Sequence, residues 1–114
     1  MINMRIEGSE KRVYIDVNGY INTNESKNFL NKYNQLIRQI KSSQYTLVVK
    51  LSSFQCERNE DIRTVCMSFL KTGFRDRYIV DPENYIMNNM SLGSIEKKIF
   101  NKSVKVVSTI SAIK

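Results

Sequence analysis

An α/β fold built on a mixed sheet is predicted by three features of this 114-residue sequence. Two segments near the N-terminus alternate apolar and polar residues at period two, as half-buried strands do. The pattern then switches to helical spacing, with Phe29, Leu30, Tyr33, Leu36, Ile37 and Ile40 on one face. A later segment, residues 45–51, is apolar on both faces through Leu47, Val48, Val49 and Leu51, the mark of a strand covered on both sides. The length fits one domain and leaves no room for two.

Taken in order, residues 1–7 place Ile2, Met4 and Ile6 on one face of a first strand. A polar turn follows at 8–11, and residues 12–18 turn Val13, Ile15 and Val17 inward and Tyr14 and Asp16 outward, which completes a hairpin ending at Gly19. Thr23 or Asn24 is expected to cap the first helix, with Glu25 near the positive end of its dipole. Ser42 and Ser43 close it, and Leu36→Asp is expected to unfold the domain. After the central strand the sequence predicts a loop over 52–58. A second helix then carries Ile62, Val65, Cys66, Phe69 and Leu70 and stops at Gly73. Residues 77–80 read as a short strand. Asp81, Pro82 and Glu83 form a helix-start signal, with Tyr85, Ile86 and Met90 as its apolar side. A further short helix at 94–101, a last strand at 103–109 and a terminal turn at Ala112 and Ile113 complete the order β-β-α-β-α-β-α-(α)-β. Strands alternating with helices in this way imply crossover connections.

Composition narrows the function classes. The hydrophobic (41%) and charged (25%) fractions are those of an ordered globular chain. No apolar run approaches a membrane span and residues 1–10 lack a signal-peptide core, so a cytoplasmic protein is expected. There is no His, which removes imidazole bases and Ser-His or Cys-His pairs. Cys56 and Cys66 stand ten residues apart and encode neither a CxxC pair nor a zinc site; Cys66 reads as a buried packing thiol. None of Gly8, Gly19, Gly73 and Gly93 belongs to a phosphate-cradling loop. No enzyme activity, metal or cofactor is expected. The acidic cluster Glu57, Glu60 and Asp61 reads as acids complementing a helix N-terminus, with an oxygen-ligand Mg²⁺ site as the alternative.

The net charge is +7, and five lysines (Lys97, Lys98, Lys102, Lys105 and Lys114), with no acid after Glu96, supply +5 of it. This stretch reads as a solvated basic tail or as a phosphate-contacting patch. Phe100 is its only aromatic residue, which is thin support for base stacking. Abundant Asn, Lys and Ile fit an AT-rich genome, such as that of a low-GC bacterium or its phage, and that bias raises the charge without a functional cause.

The element order and three local patterns resemble the STAS domain, the fold of bacterial anti-sigma factor antagonists. "VYIDVNGYINTNESKNFL" is similar to the family's strand, Gly, short loop and first helix; "LVVKLSSFQCERNEDIRTVCMSFL" to its buried strand, phosphorylation loop and following helix; "KVVSTISAIK" to its last strand and helix start. The resemblance covers nearly the whole chain and implies a single STAS-like domain over 1–114. In register with the family's Asp-Ser-Ser-Gly loop stand Arg58, Asn59, Glu60 and Asp61, so the phosphorylatable Ser is missing; Lys50 replaces a frequent Asp. The family likeness implies a non-enzymatic protein-interaction module whose partner meets residues 56–61 and the helix after them, through Glu57, Arg58, Asn59, Glu60 and Arg63. Two other readings stay open: a phage or mobile-element structural or assembly protein, and a basic nucleic-acid-binding accessory factor using Lys97, Lys98, Lys102 and Lys105.

Overall fold

In a computed structural model, which describes residues 1–86 and 93–113, five strands form one sheet in the order β1-β2-β3-β4-β5. β1 (Ile2–Glu7) runs antiparallel to β2 (Arg12–Ile21), and β3 (Thr46–Cys56), β4 (Asp76–Val80) and β5 (Lys105–Val107) follow in parallel pairs. Helix α1 (Thr23–Ile37) joins β2 to β3, α2 (Asn59–Lys71) joins β3 to β4, and α3 (Ser94–Ser103) precedes β5. The mixed α/β sheet and the STAS-like order are as the sequence implied.

Side chains at alternate strand positions sort to two faces. Val13, Ile15, Leu47, Val49, Leu51 and Ile79 pack with Phe29 and Tyr33 of α1, Ile62, Cys66 and Phe69 of α2, and Phe100 of α3. The opposite face is smaller: Tyr14, Val48 and Val80 form a second cluster, with Val107 and Ile113 against it. Cations cover its rings, with the Arg5 guanidinium 4.2 Å over Tyr14 and the Lys105 ammonium 5.6 Å over Tyr78. Tyr14 therefore points away from the helices, as its alternation requires, yet is buried. β3 is the middle strand, which is why its residues are apolar on both faces.

Several boundaries differ from expectation, each for a local reason. Gly19 does not end β2. Its φ of 72° sits in a register shift between Val17 and Gly19, and the strand resumes to Ile21. Residues 52–56, expected in a loop, continue β3 because Phe54, Gln55 and Cys56 pair with Gly19, Tyr20 and Ile21. The cap of α1 is Asn22, whose Oδ1 accepts from the Glu25 N–H at 2.8 Å, one position before Thr23. α1 ends at Ile37, so Ile40 packs from beyond the helix. Leu36 is only half-buried, so Leu36→Asp will not unfold the domain; Phe29 and Tyr33 hold the helix down.

α2 ends before Gly73. Thr72 turns to extended backbone (ψ 131°), and Arg77 donates to the carbonyl oxygens of Phe69, Leu70 and Thr72. A guanidinium there satisfies carbonyls left open at a helix C-terminus. Asp81 is 3% exposed and caps the next turn, accepting from the N–H groups of Tyr85 (3.0 Å) and Ile86 (2.8 Å). Helical geometry starts at Tyr85 rather than Pro82, and the rest of the helix expected through Met90 lies outside the described residues. α3 runs through Ser103, which shortens the last strand to three residues.

Candidate functional site

The residues singled out in the sequence converge where β3 enters α2. Because β3 extends to Cys56, the link is residues 57–58 alone. Arg58 occupies the cap position in extended conformation and supplies no side-chain cap. Glu57, Arg58, Asn59 and Glu60 are all exposed. Arg58 donates to Glu60 at 2.6 Å, which raises the guanidinium's pKa further. Asn59 makes no side-chain hydrogen bond among the described residues, so its amide is open to solvent.

Beneath this rim the site is tied to α1. The Glu57 N–H donates to the Ile21 carbonyl at 2.8 Å, and the Thr23 hydroxyl donates to Asp61 at 2.9 Å. The Thr23 N–H also approaches the Glu57 carboxylate at 3.5 Å. Asp61 and Glu57 thus bridge the starts of α1 and α2, and both acids sit where helix dipoles favour them. That tie gives the acidic cluster its structural role. Among the described residues no group of three His, Cys, Asp or Glu side chains converges as a metal site would require.

Arg63 stands apart from the other four. Half-buried, it pairs with Glu96 and so fastens α2 to α3. Glu96 also accepts from the Gly93 N–H at 3.4 Å, so a single carboxylate serves the start of α3 and its link to α2. The basic residues Lys97, Lys98, Lys102 and Lys105 are exposed, but Phe100 is 1% exposed and lies in the main core. The one aromatic of that stretch cannot stack a base without unfolding α3, and of the four lysines Lys105 already lies over the Tyr78 ring. Ile95 and Ile99, 75% and 52% exposed, face solvent beside them.

Both cysteines lie under the site. Burial pushes Cys66 up to about 12; burial, then the nearby Asp61 and Glu25 charges, push Cys56 up to about 11. Neither is a thiolate at neutral pH, which fits packing rather than nucleophilic chemistry. The native state therefore holds thiol protons that the unfolded chain releases near pH 9. Their stabilising effect is intact below that pH and is lost as pH climbs through 11 to 12. Cys66, the more deeply buried of the two, carries the larger share of that loss. Urea midpoints measured from pH 8 to 11 should fall steeply, and Cys66→Ala should flatten the fall.

Sequence reasoning found the α2 entry but missed a groove one element away, at the ends of β2, β3 and β4. Its signal was weak: Tyr20, Ser53 and Glu83 are scattered single residues, gathered only by the extra length of β2 and β3. The groove is about 460 Å³ and is lined by Gly19, Tyr20, Ser53, Phe54, Gln55, Glu83 and Tyr85.

No helix among the described residues is long and apolar enough to cross a membrane. No family model and no curated protein matches the chain by sequence. Its fold, however, is similar to that of the anti-sigma factor antagonist SpoIIAA in its unphosphorylated form. That likeness has a TM-score of 0.60 at 9% identity and covers 98% of this chain and 92% of the other. An uncharacterised protein of the DUF3478 family with a SpoIIAA-like fold, from Shewanella loihica PV-4, is similar at a TM-score of 0.57 and 9% identity, over 98% and 88%.

Proposed function

We propose that this chain is a non-enzymatic protein-interaction module, one STAS-like domain acting in the cytoplasm, that meets a protein partner through the N-terminal end of α2. The observation that carries the reading is the exposed rim Glu57-Arg58-Asn59-Glu60, set on a helix entry held from below by the Ile21 and Thr23 contacts. A rigid base under mobile polar tips is what recognition of another surface requires, since little is lost in ordering the backbone on binding. The SpoIIAA-like fold supports a protein as partner, because the protein it resembles is named for antagonising an anti-sigma factor. Arg63, the fifth residue of the expected contact set, is in addition paired with Glu96.

The chemistry at the rim is fixed. Where the resembled family carries a phosphorylatable Ser, this chain carries Asn59 and Glu60, with Glu57 and Asp61 close by. Phosphate would add close to two negative charges and reverse on hydrolysis, whereas an acidic side chain is part of the chain and cannot be removed by a phosphatase. The chain is thereby held in a permanently acidic state, and its partner meets that acid with Arg or Lys.

Affinity capture with immobilised protein tests the proposal. Wild type should retain a discrete protein partner, and the variant Glu57→Gln with Glu60→Ser should lose it while keeping its far-UV circular dichroism. Retention of the same partner by the double variant would refute the assignment of the surface.

A further inference from the structure

We infer that the groove beside the ends of β2, β3 and β4 is a second recognition site, one that takes the cationic side chain of a protein partner, an Arg or Lys. This rests on the reading that the partner is a protein, and adds a site distinct from the α2 entry. The groove exists because two strands outrun a third. Pairing of β3 with β4 ends at Lys50 and Val80, whereas β2 and β3 stay paired out to Ile21 and Cys56. The projecting ribbon and the turn after β4 become two walls.

The walls are chemically one-sided. Tyr20 is 61% exposed and its side chain makes no hydrogen bond or ring contact among the described residues. Gly19, in its left-handed conformation, is the bulge that aims it. Phe54 and Tyr85 pack at a tilt, with ring centroids 4.3 Å apart, and line the floor. Glu83 is exposed at the rim, and its one contact is the Ser53 hydroxyl, which donates to it at 3.4 Å; no Lys or Arg pairs with it among the described residues. The chain has 18 Lys and Arg against 11 acids, yet none of those cations lines this groove. Aromatic faces and a carboxylate around a space without a cation are the complement of an ammonium or guanidinium group. An anionic ligand would face the Glu83 carboxylate with no cation to offset it, and a purely apolar one would strand Glu83.

The probe is a blocked Gly-Arg-Gly tripeptide titrated into ¹⁵N-labelled protein, with blocked Gly-norleucine-Gly as the uncharged control. The arginine peptide should shift the amides of Tyr20, Ser53, Gln55 and Glu83, and the control should not. Glu83→Gln should weaken binding about two- to fivefold, the scale of one exposed ion pair. Adding Tyr20→Ala should abolish the shifts, and both side chains are exposed, so the fold stands. Free arginine should bind more weakly than the peptide if the source is a protein chain; equal or tighter binding of the free amino acid would overturn the protein source. Absence of groove shifts, equal shifts with norleucine, or unchanged binding in the double variant would overturn the site. These readouts do not involve Glu57 or Glu60, so this inference and the α2 proposal fail separately.

Discussion

Phe69→Ala is expected to remove a large share of the protein's stability, about 3–5 kcal/mol. Phe69 is 4% exposed and stands between α2 and α1, edge-on to Phe29 at 6.5 Å and to Tyr33 at 5.5 Å. Truncation costs the transfer of a ring to water and leaves a cavity that neither helix can close, because both are fixed at their starts by the Thr23–Asp61 bond. Two edge-to-face ring contacts are lost besides. Domains of this size hold a total of about 5–15 kcal/mol, so the loss is a substantial fraction of the whole. The urea midpoint should fall by about 2 M, given slopes of about 1–3 kcal/mol per molar. Leu36→Asp, on the half-buried side of α1, should cost only about 1–2 kcal/mol.

Asp81→Ala is the second large effect, at about 2–4 kcal/mol. The carboxylate is buried and accepts from two backbone N–H groups, those of Tyr85 and Ile86. Alanine leaves both donors buried without a partner, at about 1–3 kcal/mol each before relaxation. The Asp81 N–H meanwhile donates to the Val107 carbonyl at 2.8 Å, so the same residue joins the end of β4 to β5. Disturbing the turn should loosen the short edge strand. Hydrogen exchange should therefore accelerate at Tyr85, Ile86 and the β5 amides before the rest of the sheet. Asp81→Asn keeps one acceptor oxygen and should recover roughly half the loss; full recovery or none would contradict the two-bond account.

The element order and the apolar faces are legible because their signals are periodic: alternation in β1 and β2, helical spacing through Phe29 and Tyr33, and a double-sided run over residues 47–51. Errors fell where one residue can serve two conformations. Gly19 signals an end equally well as a bulge, and only pairing with Phe54 decides between them. Ser52 and Ser53 look like a loop until Tyr20 and Ile21 pair with the residues beyond them. Asp81 was read correctly as a cap, but Pro82 invited a helix start that Tyr85 takes instead. At the site, Glu57 and Glu60 could be picked out as charges at a helix start. That Arg63 reaches Glu96 depends on where α3 lies, which no local pattern encodes.

The most direct measurement is a calorimetric titration of the captured partner with wild type and with Glu60→Ser. Glu60 is exposed and among the described residues its side chain bonds only to the neighbouring Arg58, so the substitution leaves the ties to α1 in place. If the acidic rim of α2 is read by a cation on the partner, Glu60→Ser should weaken affinity about tenfold, the loss of one charge-assisted hydrogen bond, with unfolding midpoints unchanged. Equal affinities for wild type and Glu60→Ser would contradict the claim that this chain recognises its partner through the charge at the start of α2.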